Sequence, residues 1–200
     1  MDTLSLLTST TNPAVDQVIR GVISIFEAAF PGRIRGYYLI GSLVDGSAVA
    51  ASDIDMWAVF KDAFIDDEEE RAKQLWHACE SISRIKVDVL SRSEEQFFRN
   101  TTTVGIKLAS ILLYGEDVRD KIPLPTRAQY RHITNYAACD YITQALHCAK
   151  PVTFPLSYPI PSGPFYGYDD EHITSDDDTM KTAHKASFLA LAVWPQPWLL

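Results

Sequence analysis

Y-Y-L-I-G-S-L-V-D-G-S-A-V-A-A-S-D-I-D-M-W-A-V-F, residues Tyr37 to Phe60, is the stretch on which the reading of the chain turns. An apolar strand from Tyr37 to Ile40 runs into a Gly41-Ser42 turn. After a short connection, a second strand opens on two carboxylates, Asp53 and Asp55. Side chains of a strand alternate between faces, so Asp53 and Asp55 are expected on one side and Ile54 on the other. Adjacent carboxylates raise each other's pKa unless a cation neutralises them, and a divalent metal is the usual solution. Beyond Asp55 the residues Met56, Trp57, Ala58, Val59 and Phe60 are apolar on both faces, the pattern of a strand covered on both sides. An Asp-x-Asp after a serine also suits a polar loop entering a strand. The surroundings favour chemistry, because Gly41-Ser42 closes the preceding strand and a third acid, Asp88, lies inside another apolar run, I-K-V-D-V-L.

Each residue type has a physical reason to be there. Glycine lets backbone approach a phosphate with no Cβ in the way, and a serine hydroxyl with nearby amides donates to phosphate oxygens. Gly46-Ser47 is a second pair that extends such a cradle. In the strand Ile85 to Leu90, Val87 and Val89 point one way and Lys86, Asp88 and Leu90 the other. Placed beside the Asp53 strand, Asp88 faces the same cleft. An acid between two valines is otherwise poorly placed.

G-S-L-V-D-G-S followed by S-D-I-D-M resembles the signature of the polymerase-β-like nucleotidyltransferase superfamily: a Gly-Ser turn, then Asp-x-Asp, then a third carboxylate on a later strand. Gly41, Ser42, Asp53, Asp55 and Asp88 match it in order between Ile34 and Leu90. The segment K-L-A-S-I-L-L-Y-G-E-D-V-R-D-K-I-P, from Lys107 to Pro123, resembles the small-molecule, aminoglycoside nucleotidyltransferase-like branch. There a helix and a Leu-Tyr-Gly strand or turn close the domain before a helical tail. The resemblance implies an α/β (α+β) fold with a short mixed β-sheet flanked by helices, followed by a helical C-terminal region. It implies transfer of a nucleoside monophosphate, AMP from ATP or another NTP donor, to a hydroxyl of a small-molecule acceptor. Gly41 and Ser42 would hold the phosphates, and Asp53 and Asp55 one or two Mg2+ ions. Asp88 would complete the second metal site or act as base. Two alternatives stay open: an antitoxin-type enzyme that adenylylates a protein, and a noncatalytic nucleotide-binding module of the same fold.

Composition narrows the partners. The chain has 200 residues, 46% hydrophobic and 22% charged, an ordinary globular balance with enough length for a sizeable core. A net charge of −8 argues against general nucleic-acid binding, which needs a basic face. The three cysteines, Cys79, Cys139 and Cys148, form no C-x-x-C pair, so neither a disulfide framework nor a zinc site is suggested. With no basic stretch at the N-terminus and an apolar run near Ala186 to Trp194 too short to span a bilayer, a cytoplasmic setting without membrane association is expected. A homodimer whose second subunit completes the site is compatible with the sequence.

Elsewhere the periodicity predicts helices over Pro13 to Phe30, Asp66 to Ile82, Glu94 to Leu113 and Thr126 to Ala149. Pro123 and Pro125 suggest a boundary between a catalytic domain, residues 1–122, and a helical region, residues 123–200. Within the latter, residues 151–178 combine prolines, aromatics and a crowd of acids, a composition suited to a lid over the acceptor. Glu171 is the candidate there for deprotonating an acceptor hydroxyl. Lys181 and Lys185, four residues apart on the last helix, are candidates for neutralising a triphosphate, or for pairing with Asp177 and Asp178.

Overall fold

The computed structural model describes residues 4–50, 52–99 and 103–132, together with Ser162. The chain divides into two units, Met1–Leu124 and Pro125–Leu200. All elements below belong to the first. Of the second unit, a helix runs from residue 127 to residue 132. The rest of the helix expected up to Ala149, the acidic and aromatic stretch at 151–178 (Ser162 apart), and the last helix with Lys181 and Lys185 lie outside the described residues.

Helix α1 spans Pro13–Ala29. Asn12 caps it by accepting from the amides of Ala14 and Val15, and Pro13 starts it where a missing N–H costs nothing. Its buried stripe is Val15, Ile19, Val22, Ile23 and Phe26. Strand β1, Ile34–Ile40, follows the turn at Pro31-Gly32, then the single-turn helix α2, Ser42–Asp45, and strand β2, Ile54–Phe60. Helix α3 is Glu68–Ile82 and strand β3 is Val87–Ser93.

The helix expected over Glu94 to Leu113 is instead two short helices, α4 (Glu94–Arg99) and α5 (Val104–Leu108), and a fourth strand, β4 (Ile111–Gly115). Helical periodicity is misleading here because Ile111, Leu112 and Leu113 serve two faces of a sheet. Local propensity yields to pairing with β1. Gly115 carries φ +89°, and a Cβ on it would lie 2.4 Å from the Arg35 carbonyl, so the strand ends on a residue that only glycine fills.

The sheet order is β3-β2-β1-β4. β1 pairs antiparallel with β2 and with β4, while β2 and β3 run parallel, joined through α3. The sheet is therefore mixed, as the resemblance implies. Its two faces follow directly from alternation along the strands. Tyr37, Leu39, Ile54, Met56, Ala58, Phe60, Val87 and Val89 join the residues of α1 and α3 in one cluster. Tyr38 and Val59 join Phe97 of α4, Ile106 of α5, Val118 and Ile122 in the other, with Trp57 packed against it. The adjacent tyrosines make this visible: Tyr37 donates to Glu27 on one face, while Tyr38 accepts from the Val118 amide on the other. Burying each large side chain of this kind contributes about 1.5–3 kcal/mol.

Candidate active site

Three strand ends bring the acids together. In the ladder Ile40 is the partner of Asp55, and Asp55 is the partner of Asp88. β2 and β3 start side by side because they are parallel, and β1 ends there because it is antiparallel to β2. Asp55 and Asp88 are cross-strand neighbours on one face, as alternation predicts. Asp53 lies just before β2, and its charge acts on both Asp55 and Asp88.

The electrostatics reflect this crowding. Burial first, then the charges of Asp53 and Asp88, push the Asp55 carboxyl up to about 6. Asp88 is also raised, chiefly by burial, against the opposing pull of Lys86. Lys86 places its Nζ 3.6 Å from Asp53 Oδ2. It thus supplies the positive charge nearest the first acid. Sequence reasoning placed Lys86 on the side of Asp88 but did not give it this partner. The signal was its position two residues before Asp88, on the same face.

Both raised values have a consequence for stability. Between the ordinary carboxylate range and pH 6 the folded chain holds protons more tightly than the unfolded chain. Stability from Asp55 therefore falls as pH rises through that window, and its cost is complete above it. Asp55→Asn is accordingly expected to stabilise chelator-treated protein at pH 7.5 by on the order of 1–2 kcal/mol, seen as a raised melting temperature, and to lose that advantage at pH 4. Thermal denaturation of the two proteins at both pH values checks this. A variant less stable than wild type at pH 7.5 would contradict it.

Gly41 meets the acids from β1. Its φ of +75° with ψ −157° is a conformation essentially confined to glycine. A Cβ at this position would sit 2.6 Å from Asp55 Oδ2. The turn is thus pressed against the carboxylate, and glycine is required on two separate grounds. Ser42 begins α2 and is partly exposed. Ser47 is bound locally: its hydroxyl and amide both donate to Asp45 Oδ1, at 2.6 and 2.9 Å. Lys107 donates to the Ile122 carbonyl at 2.8 Å and serves the fold. Glu171, Lys181 and Lys185 lie outside the described residues.

A divalent metal is tested against this donor set. Carboxylate oxygens suit a hard cation such as magnesium, and Asp55 and Asp88 are raised chiefly by burial, with neighbouring acids adding to it. The donor chemistry fits. Among the described residues, no group of three or more His, Cys, Asp or Glu side chains is gathered closely enough to form a metal site by itself.

No protein-family model matches the chain, and no curated protein matches it. Solved structures do. The chain is similar to a spectinomycin adenyltransferase from Enterococcus faecialis, solved with ATP and spectinomycin. The TM-score is 0.52 at 14% identity, over 63% of this chain and 66% of that one, a little less than two thirds of that enzyme's length. Weaker similarity is found to a toxin–antitoxin structure with AMP-PNP (TM-score 0.40, 19% identity, 66% of this chain and 98% of that one). A complex of a tri-AMPylated Shewanella oneidensis HEPN toxin with its MNT antitoxin gives a TM-score of 0.38 at 19% identity, over 66% of this chain and 99% of that one.

Proposed function

On the premise that the first unit has the polymerase-β-like nucleotidyltransferase fold, we propose that the protein transfers a nucleoside monophosphate, AMP from ATP, to a hydroxyl of a small-molecule acceptor. The observation that carries this reading is the row Ile40–Asp55–Asp88, with Gly41 pressed on the Asp55 carboxylate. It puts a turn with no side chain to exclude a phosphate directly beside neighbouring acids. The similarity to an adenyltransferase solved with ATP and spectinomycin supports ATP as donor and a polyhydroxylated acceptor.

In this reading the backbone at Gly41 and the hydroxyl of Ser42 receive the donor's phosphates. Asp53 and Asp55 would hold magnesium, which would offset the charge of the phosphates. Asp88, whose carboxyl is raised above the ordinary range, is the residue suited to take the proton from the acceptor hydroxyl. The wall behind the acids is apolar, with Trp57 following Asp55 and Leu90 following Asp88 on the same face, so water is partly excluded from the carboxylates. Phosphoryl transfer asks mainly for positioning and charge stabilisation, which such a frame provides.

The test is incubation with α-labelled ATP, GTP, CTP and UTP and magnesium against a panel of aminoglycosides, aminocyclitols and simple polyols, scoring pyrophosphate and labelled product. Acceptor-dependent release with ATP is the expected result. Labelling of a protein in place of any small molecule would replace the acceptor class. Absence of magnesium-dependent nucleotide binding by calorimetry would remove the enzymatic reading altogether.

A further inference from the structure

A lysine stands at the edge of the acids. β2 and β3 run parallel, with Ile54 opposite Val87 and Asp55 opposite Asp88. The same register, carried one step back, sets Asp53 against Lys86, and the Lys86 Nζ lies 3.6 Å from Asp53 Oδ2. The Ile54 amide donates to the Lys86 carbonyl at 2.9 Å, so the backbone of the lysine is tied to the start of β2.

The base of Lys86 is fixed while its head is free. The side chain is largely exposed, and an ammonium on a flexible four-carbon stem changes partners without moving the chain. Its charge reaches past Asp53, opposing the rise of both Asp55 and Asp88. A divalent ion on Asp53 would claim the carboxylate that Lys86 faces, and two cations at one carboxylate repel each other. An exposed ion pair is weak enough to yield to a doubly charged ion. The released ammonium would then stand beside the phosphates that such an ion accompanies, and phosphate oxygens are strong acceptors for it.

We propose that Lys86 exchanges partners when the donor binds: it holds Asp53 until a divalent ion arrives, yields the carboxylate to that ion, and donates instead to a phosphate oxygen of the nucleotide. The proposal rests on the nucleotidyltransferase reading of the acids. It deepens that reading by giving the donor a cationic partner, which the Gly41 turn does not supply.

The experiment compares the full chain with its Lys86→Met, Lys73→Met and Asp53→Asn variants by calorimetry, titrating manganese alone and then a nonhydrolysable ATP analogue in saturating magnesium. Lys86→Met is expected to bind manganese about two- to fivefold more tightly, since a competing exposed ion pair is gone. It is expected to bind the analogue about tenfold more weakly, since one hydrogen bond to a charged group is lost. A side chain that only supports the fold would weaken both. Lys73→Met removes the same charge from α3 and should leave manganese affinity unchanged. Manganese affinity unchanged or lowered in Lys86→Met, an equal gain in Lys73→Met, or an unchanged affinity for the analogue overturns the exchange, even while Asp53→Asn loses the metal. Manganese binding undiminished in Asp53→Asn removes the metal site itself, and the reading of the acids falls with it.

Discussion

Replacing Asp53 by asparagine is expected to reduce nucleotidyl transfer roughly a thousandfold or more while the protein stays folded, since removal of a single charge-stabilising group at such a site costs 10²–10³ or beyond. The Asp53 side chain is 26% accessible, and its nearest counter-charge is a largely exposed Lys86. Its loss therefore removes little packing and one weak ion pair, worth about 0–1 kcal/mol. The expected result is a large fall in kcat with an unchanged far-UV spectrum and a melting temperature within a few degrees of wild type. Turnover close to normal in Asp53→Asn would sink the assignment of the acids to the reaction.

Gly41→Ala should be nearly as damaging, by another route. The new methyl group enters a region of φ and ψ that costs an alanine about 1–3 kcal/mol, and it collides with Asp55 Oδ2. The turn then has to move away from the carboxylate, or the carboxylate from the turn. Either displaces the backbone proposed to receive phosphate relative to Asp55, and displacements of about 1 Å in such a frame cost on the order of a hundredfold in rate. Melting temperature and activity are expected to fall together. That distinguishes this variant from Asp53→Asn, in which activity alone falls. An active Gly41→Ala protein of wild-type stability would show that the turn is not pressed on the acids.

The contrast between these variants reflects which parts of the site were legible in the sequence. Period-two alternation is a property of any strand, so the shared face of Asp55 and Asp88 followed from the letters once β2 and β3 were recognised as neighbours. The first helix was equally plain, because Asn12-Pro13 and Pro31-Gly32 punctuate an apolar stripe at both ends. The region after β3 was not. Ile111 to Tyr114 satisfies helical and strand spacing alike, and only pairing with β1 decides between them. Lys86 beside Asp53 was also hidden, since that pair depends on how the connection before β2 meets the start of β3. Short-range pattern gave the acids, while long-range packing gave their counter-charge.

The ladder that aligns Ile40, Asp55 and Asp88 has a bearing on how this scaffold can be re-engineered. Each of the three positions is held by backbone pairing with its neighbours. The connection after α2, residues 46–50, has no part in that pairing. Lengthening it leaves the paired positions of Asp55 and Asp88 in place, and loop-closure entropy makes each doubling of its length cost only about 0.6 kcal/mol. Insertions there, clear of the Gly41 turn and of the strands, are the changes this frame accepts most cheaply.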